Sequence, residues 1–316
     1  MKPFIDKQRV APPGGTDRRA GECGFILVAV LWILGGLSVL AAVYALYVVN
    51  TATALSVDSD RLQANASVSS ALELTSYYLG ALKSQERPSS GQFTFQVGRS
   101  TVVINFVSEA ARVDLNSAPK QLLAGLFRVL GAAADDADYY ADRIIGWRTP
   151  AVVVSQNLDL NSGTDAETTI YRNAGAVYNP RGAPFVNVDE LWLVLGLPSA
   201  IVARTLPFVT VYSGKPNINV MDAAPEVLAA LPGMTPDRLV AVLRQREATP
   251  TDARPVIQLV GNAGGIATAS ASDSIRIFAR VNLPDGRRVK AEAVVLLLQD
   301  APDPYRVLSW TDDFDG

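Results

Sequence analysis

Residues 25–49 read FILVAVLWILGGLSVLAAVYALYVV, 25 residues without a charge, and no other feature of the chain limits its fold as strongly. As a helix rising about 1.5 Å per residue, the run reaches roughly 37 Å, more than the ~30 Å of a bilayer's hydrocarbon core. The apolar core of a secretory signal is shorter, about 7–15 residues, and precedes a cleavage site of small residues. The run therefore reads as a membrane span, with a core helix apolar on every face as the alternative.

Flanking charge sets the direction of insertion. Lys2, Lys7, Arg9, Arg18 and Arg19 precede the run with Asp6, Asp17 and Glu22, and the first charges after it are Asp58, Asp60 and Arg61. The bias of basic residues to the cytoplasmic side predicts a cytoplasmic N-terminus, a single pass and export of everything after Val49. Without residues 1–24 the chain keeps 23 basic and 28 acidic side chains, near −5. This balance gives no electrostatic reason to expect nucleic acid. The one cysteine, Cys23, precedes the span, so the exported part forms no internal disulfide. The chain has no histidine, which excludes Ser-His-Asp and Cys-His nucleophiles and histidine-ligated zinc.

Residues 1–24 hold Pro3, Pro12, Pro13, Gly14 and Gly15, the composition of an unstructured leader. From Asn50 to Lys83 only Gly80 interrupts a helix-favouring stretch. The span is thus expected to continue as a solvent-exposed helix, with Leu55, Leu62 and Ala66 on one face and Leu72, Thr75, Leu79 and Leu82 on another. Gln92–Val97 and Thr101–Val107 flank Gly98-Arg99 as a hairpin, and Ser274–Leu283 and Val289–Leu298 flank Pro284-Asp285-Gly286 as a second. Together they predict one sheet packed on the exported half of the helix. The end Asp312-Asp313-Phe314-Asp315 reads as a soluble tail.

Between the hairpins lies a mostly helical stretch with a repeated theme of an apolar segment, a Gly turn and a second short helix. The instances are Leu122–Leu130 with Gly131, Leu191–Leu195 with Gly196, and Leu228–Leu231 with Pro232-Gly233. This is a helix-hairpin-helix pattern. Ser117-Ala118-Pro119 and Asp222-Ala223-Ala224-Pro225 mark helix starts. Phased on Asn116, the second of these segments holds one residue more than the first.

Gly24-Phe25-Ile26-Leu27-Val28-Ala29, behind a basic leader and ahead of a long apolar helix, resembles the prepilin peptidase site of type IV pilins and pseudopilins. Glu109-Ala110-Ala111-Arg112-Val113-Asp114-Leu115-Asn116, Ile145-Gly146-Trp147-Arg148, Val188-Asp189-Glu190-Leu191 with Leu195-Gly196-Leu197, and Ile218-Asn219-Val220 with Ala224-Pro225-Glu226-Val227-Leu228 follow in order. The set resembles the K-type minor pseudopilin of type II secretion, a structural protein and not an enzyme.

The resemblance implies an α+β fold. A pilin-like long N-terminal helix packs on a small antiparallel sheet and carries a large helical insertion of helix-hairpin-helix or SAM-like type. The expected divisions are a leader at 1–24, a transmembrane half-helix at 25–49, a pilin-like domain from 50–114 and 254–316, and an inserted domain at 115–253. It implies cleavage after Gly24, methylation of Phe25, and I-type and J-type minor pseudopilins, other pseudopilins, the inner-membrane assembly platform and prepilin peptidase as partners. The glutamate usual at the fifth processed position is replaced by Ala29, which fits a subunit at the tip of the pseudopilus. Members of the family can carry calcium, and Asp159, Asn161, Asp165 and Glu167 in the loop from Asn157 are the candidate ligands. Their spacing is not that of an EF-hand. The alternative is a membrane-tethered helix-hairpin-helix DNA-binding protein, on the strength of Leu231-Pro232-Gly233-Met234 with Arg238, Arg244 and Arg246.

Overall fold

The computed structural model describes residues 22–84, 86–150, 166–261, 263, 265–284, 286–299 and 301–313, with side chains of the first helix described over 25–51 and 62–80. Helix α1 spans Glu22–Gly80, so its backbone takes in the last three residues of the expected leader. The chain divides into two units, residues 1–62 and 63–316. In the first, Phe25–Thr51 has a mean hydropathy of 2.7 with none of its most apolar window buried. It is the one helix among the described residues long and apolar enough to cross a membrane.

The second unit contains two hydrophobic cores. One lies between residues 64–79 of α1 and a five-stranded antiparallel sheet ordered β1-β2-β7-β8-β9. Its strands are β1 (Ser90–Val97), β2 (Ser100–Ser108), β7 (Ser274–Asn282), β8 (Arg288–Leu297) and β9 (Tyr305–Asp313). The helix buries Ala64, Ser67, Val68, Ala71, Leu72, Thr75, Ser76 and Leu79, a stripe at alternating spacings of three and four residues. Most of these side chains are small, so the helix axis can lie close to the sheet. The buried hydroxyls of Ser67 and Thr75 are tolerable because they donate to the carbonyls of Gln63 and Ala71, each at 2.7 Å. The face expected to carry Leu62 and Ala66 points instead to solvent. Both hairpins form as expected, whereas β9 takes in Asp312 and Asp313, which the sequence had suggested were part of a soluble tail. Tyr305, Val307 and Trp310 give that segment the spaced apolar residues of a strand.

The other core belongs to the head and runs from Val113 to Ile266. Its elements are β3 (Val113–Asp114), α2 (Lys120–Val129), α3 (Ala134–Arg148), α4 (Ala166–Asn173), α5 (Ser199–Thr205), β4 (Val209–Thr210), β5 (Ile218–Asn219), α6 (Pro225–Ala229), α7 (Pro236–Ala248), α8 (Ala253–Val260) and β6 (Ala267–Thr268). Val256, Val260, Ala263 and Ile266 are buried in this core, so it extends past the boundary expected at residue 253. The second repeat of the helical theme is a 3-10 segment, Val188–Leu193, rather than an α-helix.

Candidate functional site: membrane span and helical head

The head is built from two copies of one design. Strand β3 pairs in parallel with β4, and β5 pairs in parallel with β6. Leu115 donates to the Thr210 carbonyl at 2.8 Å, and Val220 donates to the Thr268 carbonyl at 2.9 Å. Each first strand leads into a turn whose polar residue accepts local amides. Asp114 Oδ1 accepts from Asn116 and Ser117, and Asn219 Oδ1 accepts from Met221. Ala118 then donates to the Asp114 carbonyl as Ala223 does to that of Asn219. On this phase Pro119 aligns with Ala224, both being the residue before their helix. The extra residue inferred by phasing on Asn116 disappears, because the structural equivalent of Asn219 is Asp114.

An arginine near the end of each second helix closes the copy. Arg148 donates to the carbonyls of Leu115 and Ala118, the latter at 2.8 Å. Arg246 donates to the equivalent carbonyls of Val220, at 3.4 Å, and Ala223, at 2.7 Å. The hairpins turn at Gly131 and Gly233, with φ of +98° and +75°, values that residues with a Cβ rarely adopt. The copies meet where Gly125 of α2 faces the main chain of Ala230; an added Cβ would lie 2.1 Å from the Ala230 carbonyl oxygen.

Polar side chains join these parts. Glu109 is fully buried and holds Arg276 of β7 through Nε–Oε1 at 2.6 Å and Nη2–Oε2 at 3.1 Å. It also accepts from the Thr210 hydroxyl, and Arg276 continues to Glu292. One carboxylate thus ties the sheet to the head. Burial lowers the Arg276 pKa, but the hydrogen bonds and charges of Glu109 and Glu292 outweigh it and leave a net rise. Arg112 nearby is lowered, by burial first and then by Arg276. Glu190 accepts from Trp147 Nε1 and Arg181 at 3.1 Å each and from the Val186 amide at 3.0 Å.

Burial raises the pKa of Asp114, against the pull of the amides of Gly214, Asn116 and Ser117 and the charge of Arg148. A carboxylate raised in the fold stabilises fully below its unfolded value of about 3.9, and that contribution is lost as pH climbs through the folded value. The stability advantage of the wild-type chain over Asp114→Asn should therefore shrink as pH is raised from about 4. Thermal unfolding in detergent across that range checks the sign, and an advantage that grows with pH would contradict it.

The candidate calcium ligands are not brought together by the described residues. Asp159, Asn161 and Asp165 lie outside them. Glu167, in α4, is buried against Arg143, with Nη1–Oε2 at 2.8 Å. Gly146 makes that pairing possible, since a Cβ there would meet Glu167 Oε2 at 2.4 Å. Among the described residues no group of three or more acidic, His or Cys side chains gathers. Gly24 falls within the first turn of α1 and Phe25 and Ala29 follow on the helix. Two of the three arginines suggested for DNA contact bond the head's own main chain: Arg238 donates to the Gly233 carbonyl at 3.1 Å, and Arg246 closes its copy.

The family model for the first domain of type II secretion system protein K matches residues 103–214, from β2 through the first copy of the head. Residues 103–214 thus carry the first domain of a type II secretion protein K. This match supports a minor pseudopilin of the K type. No curated protein matches the sequence. Its fold is similar to that in the crystal structure of the GspK-GspI-GspJ complex from enterotoxigenic Escherichia coli, with a TM-score of 0.53 and 17% identity over 84% of this chain and 99% of that one. At that identity the likeness concerns the fold: a long helix, an antiparallel sheet and a helical head.

Proposed function

We propose that this chain caps the tip of a type II secretion pseudopilus and takes part in protein export across the outer membrane, as a structural subunit without catalysis. The observation that carries the reading is the protein K match falling on a head built as an insertion between strands of a pilin-like sheet. Prepilin peptidase cuts after Gly24, and Phe25 becomes the methylated N-terminus. The apolar helix holds the subunit in the inner membrane with the head in the periplasm, and then packs among neighbouring pseudopilin helices. Ala29 supports the tip position. A glutamate in a span costs about 2.5–3.5 kcal/mol on insertion scales unless it is paired, and a pilin glutamate pairs with the N-terminal amine of a neighbour. A subunit with alanine there needs no neighbour ahead of it, and the bulky head blocks further stacking.

The neighbouring structure is a complex with GspI and GspJ, so I-type and J-type minor pseudopilins are the proposed direct partners. Co-expression of the full chain with the I-type and J-type pseudopilins of its own organism should yield a three-chain complex in detergent. Deletion of its gene should trap cargo in the periplasm. A chain that purifies alone, in a strain whose secretion survives its deletion, would end this reading.

A further inference from the structure

The two edges of the sheet are guarded very differently. Strand β9 carries Arg306, Asp312 and Asp313, and its pairing with β8 is broken by a bulge at Val294/Val295. Charges and bulges of this kind are how sheet edges avoid adding a further strand. Strand β1, SGQFTFQV, has eight residues without a charge, a proline or a register break, and among the described residues β2 is its only neighbour in the sheet.

Its free side also has defined chemistry. The Ser108 amide donates to the Ser89 carbonyl at 2.6 Å. Antiparallel pairs alternate between bonded and non-bonded, so Gly91, Phe93 and Phe95 bond to β2 while the amides and carbonyls of Gln92, Thr94 and Gln96 point outward. Beside this edge lies a groove of about 490 Å³ between α1 and the strand, walled by Leu74, Tyr78, Pro88, Phe93 and Phe106. Tyr78, Phe93 and Phe106 form its aromatic floor, with ring centroids 6.5 Å apart in each pair with Phe93. Nothing charged lines it. An occupant must supply backbone donors and acceptors in extended form and an apolar side chain at alternate positions, which describes a strand and not a helix.

We propose that β1 is the edge to which a partner pseudopilin adds an uncharged strand, extending the five-stranded sheet and seating apolar side chains in the groove. This rests on the proposed assembly with I-type and J-type subunits and names the surface that one of them uses. A proline at an outward-facing amide leaves the β1–β2 ladder intact and removes only an external donor.

The test uses the full chain co-expressed with its I-type and J-type pseudopilins in detergent, with hydrogen exchange followed over residues 90–97. Amides of Gln92, Thr94 and Gln96 should exchange at least tenfold more slowly in the complex than in the chain alone. Thr94→Pro should lower recovery of the complex at least tenfold. Gln96→Lys keeps every backbone group and serves if the proline variant does not fold; it should also weaken assembly. Unchanged exchange in a complex that forms, with variants assembling as the wild type does, would overturn the strand addition and leave the tip reading standing. Concentration-dependent protection in the chain alone would assign the edge to a second copy and overturn it as well. Failure of the wild-type chains to assemble would remove the tip reading and this inference together.

Discussion

Glu109→Ala should destabilise the unit of residues 63–316 by about 3–5 kcal/mol, the cost of stripping one partner from a buried ion pair. The carboxylate is fully buried, and the Arg276 side chain it holds is 12% exposed. Once Glu109 is removed, Arg276 keeps only Glu292, whose side chain is 40% exposed. Arg112, already depressed by burial and by Arg276, loses the same compensating charge. Thr210 loses its acceptor, so the joint between sheet and head fails from both sides. Replacing Glu109 with leucine and Arg276 with methionine together should recover much of the loss, because well-packed apolar groups can substitute for a buried pair. Denaturant unfolding of the wild type and the two variants in detergent makes the comparison. A single-variant loss within 0.5 kcal/mol, the range of ordinary surface changes, would show that the joint does not depend on this pair.

Gly125→Ala should also destabilise, by up to about 2 kcal/mol, although alanine is the better helix former. The propensity gain is about 1 kcal/mol. Against it stands a methyl group placed 2.1 Å from the Ala230 carbonyl oxygen and 3.0 Å from its carbonyl carbon. Both are main-chain atoms, so relief requires moving α6 away from α2, and overpacking of this kind costs about 1–3 kcal/mol and at times more. Gly80→Ala is the control, because nothing lies within 4 Å of its missing Cβ. Thermal melts should show the two substitutions moving stability in opposite directions.

Much of this fold was legible because its signals are local. The apolar run, the stretch from Asn50 to Lys83 and the two hairpins each announce themselves through periodicity or turn residues. The hairpin glycines did the same for the head, where Gly131 and Gly233 take the positive φ that a tight helix turn needs. What stayed hidden was long-range pairing. Glu109 and Arg276 are separated by 167 positions, and no spacing rule connects them. The blocks that carried the family resemblance have a physical reading only in three dimensions. Glu109 joins sheet to head, Gly146 makes room for Glu167, and Arg148 closes the first copy. The pairing of Glu167 with Arg143 was hidden for the same reason, since 24 positions separate them. Strand β9 was missed because its charges resemble a tail, and they instead guard a sheet edge.

The central claim is that residues 25–49 serve first as a lipid-embedded anchor and then as a packed stalk, after processing as a pseudopilin. Intact mass of the chain purified from its own membranes tests this most directly. The account predicts residues 25–316 with one methyl group on Phe25, and an uncut chain when Gly24 is changed to Val. A wild-type chain that keeps residues 1–24, or a Gly24→Val chain trimmed like the wild type, would contradict it.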